Sequence, residues 1–399
     1  MNIEINKEDL NDFYRAFLET YENTTDAPLD YLLTALLPAI GGLISLKRWI
    51  QWGNKKIYPN IWIMLVGAST NMRKSTSLNI GLNFNYTLNE EDNSRNFILP
   101  NDGSFIAFLN VLKDEKQGVL KHSEVESLLK NMSKGYNNNM KSLFTDFFDV
   151  PSQHKVSFKK DELLVVRPIF SLSTATTLNW LKKNITKNDS ESGFLARFIY
   201  CYKTSKEKSI PIPKAPPKEN IEKLKEIITK LSNLPEKEIQ IDDSFKKVFE
   251  EYYCEIDKLI NSECLNDSKK AFIGRLQTDY FLKLTILECV LTGKDTASSV
   301  EALRVKKLIT YFIYQAFMIV DCIMKTDTRK NEEKILTFIE KKQKVSLTDI
   351  HNLFSNNLYS GKLKSIISSL ISVGLVKETK VKNCTYYELT NNETNQEDD

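Results

Sequence analysis

Apolar and polar positions along the chain change period several times, and each change marks an element. From residue 4 to 46 the apolar residues recur at helical spacing, with Thr25, Asp26 and Pro28 reading as a cap and first-turn proline ahead of YLLTALLPAIGGLISL. The run NIWIMLVG, Asn60 to Gly67, is apolar, rich in β-formers and closed by glycine, which predicts a buried strand; Lys74–Leu82 then turns helical. Between about 99 and 200 helical and strand patterns alternate: helices over Ser104–Leu112, Val125–Asn131 and Ser142–Phe148, strands at Gly118–Leu120 and Leu163–Ser173. Such alternation predicts a parallel sheet covered by helices.

The polar stretch KTSKEKSIPIPKAPPKEN, from Lys203, carries four of the eleven prolines and reads as a linker or extended arm. Residues 219–326 show long amphipathic patterns with hardly any strand signal. Further on, Glu332–Lys341, Leu347–Phe354 and Ser360–Val373 read as short helices, followed by strands at Leu375–Val381 and Thr385–Thr390. Three helices closed by a hairpin is the layout of a winged helix-turn-helix. The pattern therefore divides the chain into a helical lead-in (1–57), an α/β core (58–205), a linker (206–218), a helical domain (219–328), a winged helix (331–390) and an acidic tail (391–399).

Composition changes this picture little. A length of 399 residues with 41% hydrophobic positions suffices for two or three cores, and 55 basic against 52 acidic residues leave +3, so any basic surface must be local. Six scattered cysteines without a CxxC pair argue against structural zinc and against a disulfide framework. The start MNIEINKEDL lacks the features of a secretory signal, and Leu32–Leu46 and Leu308–Met324 are too short to span a bilayer, so a cytoplasmic protein without membrane contact is expected.

Candidate chemistry concentrates in VGASTNMRKSTSL, Val66 to Leu78, between the apolar strand and the following helix. Backbone amides of such a turn and the helix N-terminus cradle phosphates. A P-loop reading places Gly67, Ser69, Asn71, Arg73, Lys74, Ser75 and Thr76 around ATP, with Lys74 on the phosphates and Ser75 on Mg²⁺. Arg73 stands where GxxxxGKS/T has glycine, Gly67 lies one residue early, and Asn71 is the residue expected to take the left-handed conformation. An ordinary strand–turn–helix with an exposed lysine is the alternative.

The loop, together with YPNIWIMLVG, GVLKHSEVESLL, IFSLSTATT and SGFLARF in that order, resembles the virus- and plasmid-type replicative helicase ATPases, over roughly residues 28–205. These are AAA+-like P-loop proteins of phage, plasmid and genomic-island primase-helicases, with a more distant likeness to minichromosome-maintenance helicases. The resemblance implies an α/β P-loop NTPase core, parallel sheet sandwiched by helices, with a helical lid and a winged helix. It implies Glu124 as the acid acting on the attacking water, with Ser123 where relatives carry Asp and able to bind Mg²⁺ through water; Asp146 or Asp149 could compensate. Thr174 and Thr176 become sensors near the γ-phosphate, Arg197 an arginine finger serving a neighbouring subunit, and Arg275 of IGRLQTDYFLKLT a lid arginine. Each has a plainer alternative: a helix-capping acid, strand-end threonines, a buried structural arginine and a helix-surface arginine.

From Lys334 to Thr390 nine lysines stand against four acids, a local excess of five positive charges. Lys362 and Lys364 would lie on the recognition helix and Lys377, Lys380 and Lys382 on the wing, giving phosphate contacts to DNA. A solvated or protein-binding face is the alternative. The expected activity is an ATP-dependent DNA helicase, translocase or remodelling ATPase in replication of a mobile element, working as a homo-oligomer such as a hexameric ring. No primase domain is recognisable, so a separate primase is an expected partner. Two rival readings are an ATP-switched initiator, loader or defence regulator, and a DNA binder whose loop holds no nucleotide.

Overall fold

The computed structural model describes residues 4–87, 98–101, 104–115, 117–134, 140–157, 162–184, 193–262, 265, 267–354, 360–381 and 384–390. The chain forms two compact units, Met1–Val320 and Asp321–Asp399.

In the first unit, helices α1 (Asp12–Tyr21) and α2 (Leu29–Ile44) lead into a hairpin of β1 (Arg48–Trp52) and β2 (Lys55–Ile57). There follow β3 (Trp62–Val66), α3 (Lys74–Thr87), β4 (Ile98–Leu99), α4 (Phe105–Glu115) and β5 (Val119–His122). Next come α5 (Val125–Met132), α6 (Met140–Phe148), the hairpin β6 (Gln153–Ser157) and β7 (Glu162–Val166), then β8 (Ser171–Thr176), α7 (Leu178–Asn184) and β9 (Ile199–Tyr202). Strands β4, β5, β8, β3 and β9 lie side by side in that order as a parallel five-stranded sheet flanked by helices. Every residue of β3 and β8 is buried, which accounts for their unalternating apolar or small side chains.

Two features place α2 and β3. All of α2 from Asp30 to Ile44 is buried, and the helix packs across β3, β5, β8 and β9 and against α3. Trp62 opens β3 amid aromatic rings: Phe170 stacks on it at 5.4 Å, and Phe148, Phe198 and Phe194 meet it at 5.2, 5.6 and 5.8 Å. Its indole N–H donates to the Phe170 carbonyl at 3.1 Å.

Three expectations change. The cap assigned to Asp26 is absent: Pro28 occupies the N-cap of α2 with no side-chain bond, and Asp26 instead accepts from Arg73 and Lys206. The strand expected over Leu163–Ser173 is two strands. Arg167 takes φ 49° and Pro168 offers no N–H, so β7 ends in its own hairpin and β8 begins afresh in the sheet. The linker does not separate domains. The segment from Lys203 is pinned across the first unit by Lys203–Asp30 and Lys206–Asp26 ion pairs and by the Lys214 amide on the Asn23 carbonyl, 3.2 Å.

Beyond it, α8 (Lys218–Ser232), α9 (Asp243–Asn261), α10 (Asp267–Gln277), α11 (Asp279–Leu291) and α12 (Ser299–Lys342) follow. Up to Val320 this region belongs to the same unit as the sheet. The Tyr280 hydroxyl donates to the Trp62 carbonyl at 3.1 Å, and β10 (Lys237–Glu238) runs parallel to β1. β11 (Gln240–Ile241) pairs with β12 (Thr296–Ala297). Among the described residues no helix is long and apolar enough to cross a membrane.

The second unit has its own core, in which Ile335 and Ile339 from the end of α12 meet Ile350, Leu363, Ile367, Leu370 and Val376. Its elements are β13 (Val345–Ser346), α13 (Leu347–Leu353), α14 (Ser360–Ser372), β14 (Val376–Val381) and β15 (Cys384–Leu389), with sheet order β13–β15–β14. Ser346 and Asp349 form a reciprocal capping box that starts α13.

Glu288 of α11 is buried, where Oε1 accepts from Asn11, the N-cap of α1, at 3.1 Å and Oε2 has no hydrogen-bond partner among the described residues. Burial pushes this carboxyl up to about 7, with Glu301 adding to the rise and Arg304 and Asn11 opposing it. The folded chain therefore holds a proton that the unfolded chain releases near pH 4.5, and this stabilisation is lost as pH rises toward 7. Glu288→Gln should exceed wild-type stability by about 1–3 kcal/mol above pH 7, with the gap closing toward pH 4.5. Denaturant unfolding of both chains at pH 5 and pH 8 checks this; a gap that does not grow with pH overturns it.

Candidate functional site

The turn between β3 and α3 is held from below. The Tyr31 hydroxyl of α2 donates to the Val66 carbonyl, and the Gly67 amide donates to the Thr176 carbonyl at 3.3 Å. A Cβ on Gly67 would lie 2.4 Å from the Tyr31 hydroxyl oxygen, so glycine is required here by close approach. Met72, fully buried, anchors the far side of the turn. The left-handed positions are Thr70 (φ 56°) and Arg73 (φ 52°); Asn71, expected to take that conformation, has no positive φ. A β-branched residue at positive φ is strained, and such strain persists only where surrounding contacts impose it.

Lys74 opens α3. Its ammonium donates to the carbonyls of Gly67 and Ala68 at 3.0 and 2.6 Å. Burial lowers its pKa from the usual lysine range, with the Glu124 carboxylate acting in the opposite sense.

Around this residue lies a cavity of about 460 Å³. Three neighbouring parallel strands build it from their carboxyl ends: Ser69, Arg73, Lys74, Ser75 and Thr76 follow β3, Ser123 and Glu124 follow β5, and Thr176 ends β8. Crevices at the carboxyl ends of parallel strands are where α/β sheets bind ligands. Glu124 sits at the N-cap of α5 in extended conformation, and its side chain makes no capping bond.

The cavity also takes in Thr70, Glu126, Thr177 and Trp180, which sequence reasoning missed. Thr177 was legible as a cap, since its hydroxyl accepts from the Trp180 amide at 3.1 Å and starts α7. A second cavity of about 370 Å³ shares Ser69 and Thr177 and continues to Tyr202 and Lys203. Gly67, Asn71 and Thr174 do not line the first cavity. Thr174 is fully buried within β8, and its hydroxyl has no partner among the described residues. No group of three His, Cys, Asp or Glu side chains among the described residues is placed to hold a metal ion.

Arg197 and Arg275 lie elsewhere. β9 runs parallel to β3 with Ile63 opposite Ile199 and Val66 opposite Tyr202, and Arg197 precedes β9. It therefore sits at the amino edge of the sheet, about 13 Å or more from the carboxyl edge at roughly 3.3 Å per residue. There Asp149 accepts from both arginines, from Arg197 Nη2 and Arg275 Nη1, each at 3.1 Å. Arg275 also meets Asp279 at 2.7 Å, and both guanidiniums stand over the Phe148 ring. Arg197 is 7% exposed, and its Nη1 donates to the Gly193 carbonyl at 2.8 Å. Arg275 thus contacts Asp149 and Asp279 and does not line the cavity. Beside them Lys283, buried against Asn60 and Phe148, is pushed down to about 7 by burial.

In the second unit Lys364, Lys377 and Lys380 are exposed and Lys362 is half-buried. Lys377 stands 3.6 Å from Glu388, which Lys344 also meets at 2.9 Å. Lys382 and the 391–399 tail lie outside the described residues.

The two clusters differ in what they do for stability. Asp149→Ala leaves two arginines beside Lys283 without their shared carboxylate; with Asp149 half-exposed, the loss should be about 2 kcal/mol. Lys74→Ala removes only bonds to loop carbonyls and should stay within about 0.5 kcal/mol of wild type. Urea unfolding of the two variants ranks them; equal losses would contradict this division of roles.

No model of a known protein family matches the chain, and no curated protein matches it.

Proposed function

We propose that this chain binds and hydrolyses ATP with Mg²⁺ in the Lys74 cavity and uses that cycle to move along or remodel DNA during replication of a mobile element. One observation carries the reading: an N-terminal helix lysine, an acid and a threonine from the carboxyl ends of β3, β5 and β8 converge on one cavity. That arrangement suits a phosphate ester, because the first amides of α3 and the Lys74 ammonium are donors, while Glu124 is placed to accept a proton. A volume of about 460 Å³ falls in the range of small-ligand sites. Mg²⁺ takes one or two protein ligands and otherwise phosphate and water, which fits the Ser75 hydroxyl with Ser123 acting through water.

ATP supplies the scissile anhydride and Mg²⁺ offsets its charge. Lys74 and the amides of Ser75 and Thr76 bind the phosphates. Glu124 orients water and takes its proton. Thr176 marks the strand end facing the terminal phosphate. Arg197, at the opposite edge of the sheet, can serve such a site only in another copy of the chain, so the reading includes a homo-oligomer such as a hexameric ring. In the second unit, helix, strand, two helices and hairpin follow one another as in a winged helix-turn-helix, and exposed Lys364, Lys377 and Lys380 are suited to phosphate contact. A separate primase remains part of this proposal.

A second reading, an ATP-controlled initiator, loader or regulator, is favoured by Ser123, which brings no charge to the metal where an aspartate would. ATP turnover with and without single-stranded DNA separates the two. A motor is stimulated many-fold and a switch hardly at all. Lys74→Ala should abolish nucleotide binding, and Glu124→Gln should bind ATP while hydrolysing it at least about a hundredfold more slowly. A folded chain that binds no nucleotide with magnesium overturns both readings.

A further inference from the structure

Of the two left-handed positions in the turn, position 73 holds an arginine where a glycine would be unstrained. Its backbone is left-handed, φ 52°, a conformation that costs an L-residue and suits glycine. The side chain has a specific partner: Nε donates to Asp26 Oδ1 at 2.8 Å. Asp26 is itself buried at the start of the α2 segment, its side chain 8% exposed, and its other oxygen accepts from Lys206. The Arg73 terminal nitrogens Nη1 and Nη2 make no hydrogen bond to any described residue, and Arg73 lines the cavity beside Lys74.

We infer that Arg73 is a second cation for the phosphate chain of the ligand in the Lys74 cavity, and that Asp26 positions it. This rests on reading that cavity as a nucleotide site. Arg73 lines the cavity with Lys74, while Lys206 meets the second oxygen of Asp26 outside that lining, so the cation offered to a ligand on this side is Arg73 itself. With Nε held, the guanidinium is oriented while its two terminal nitrogens stay available, and this planar pair matches phosphate oxygens two at a time. The half-buried hydrogen bond to Asp26 also fixes a side chain whose rotamer freedom would otherwise oppose binding. Asp26 is thus a positioning residue, and Lys206 holds its far oxygen without reaching the cavity lining.

Titration calorimetry on the full chain, with ATP, ADP and AMP in the presence of magnesium, tests this. Arg73→Ala should weaken ATP about tenfold to a hundredfold and AMP by less than about threefold, because a charge-assisted bond to the outer phosphates is lost. Asp26→Asn should weaken ATP several-fold in the wild-type background and add nothing in the Arg73→Ala background. Lys206→Ala should leave ATP affinity within about twofold. Unchanged ATP affinity in Arg73→Ala, a loss in Asp26→Asn that persists without Arg73, or an equal loss in Lys206→Ala overturns the assignment. Thermal melting accompanies each variant, and if Asp26→Asn does not fold, the ATP-to-AMP contrast in Arg73→Ala decides alone. A wild-type chain that binds none of the three, like Lys74→Ala, sinks the nucleotide reading and this inference with it; wild-type binding lost in Lys74→Ala but kept in Arg73→Ala sinks only the second cation.

Discussion

Backbone-to-backbone approach of α2 to the elements around it sets the geometry of everything above the sheet. At Gly81 of α3 an added Cβ would lie 2.4 Å from the Ala35 carbonyl of α2; at Gly41 it would meet the Pro59 carbonyl at 2.3 Å, and at Gly42 the Val119 side chain at 2.6 Å. Such contacts leave no room for sliding, so α3 has one position relative to α2, and α2 one position relative to β3 and β5. Because Lys74 is the first residue of α3 and Val66 the last of β3, the turn between them must close a gap whose two ends are already fixed. Strain at Thr70 and Arg73 is what that closure leaves behind.

Much of this was open to sequence reasoning where the signal is local. A strand followed by Gly67, a helix opening at Lys74 and an acid two residues after β5 are features of neighbouring residues, and the structure brings Lys74, Ser75, Glu124 and Thr176 together around one cavity. Partners far apart in the chain were not legible. Arg197 and Arg275 share Asp149, a pairing that depends on how α6 and α10 meet, and no spacing in the chain announces it. Left-handed backbone was assigned to Asn71 by its residue type, whereas the fixed ends of the turn impose it on Thr70 and Arg73. Thr174 and Thr176 look alike in IFSLSTATT and share one face of β8, yet only Thr176 stands at the strand end and lines the cavity. The prolines after Lys203 left a linker and an extended arm both open; ion pairs to Asp26 and Asp30 tie that segment down as an arm.

The first unit carries two electrostatic centres at opposite edges of one sheet. At the carboxyl edge the cations Lys74 and Arg73 are partly exposed and line an open cavity with Glu124 and Glu126, with Asp26 held on Arg73. At the amino edge Arg197, Arg275 and Lys283 are packed around Phe148 and balanced by Asp149 and Asp279, where burial presses Lys283 down to about 7. In the function proposed above, the first centre is the one that meets a ligand. The second holds the protein together, and any function it has must respect that cost.

The break at Arg167 and Pro168 has a further effect. The Arg167 amide closes the base of the β6–β7 ribbon on the Ser152 carbonyl at 3.0 Å, and the proline then removes the ladder hydrogen bond that could carry register onward. β8 takes its alignment from β3 and β5 alone. Insertions or deletions in the ribbon would therefore be absorbed there, leaving Thr176 where it is.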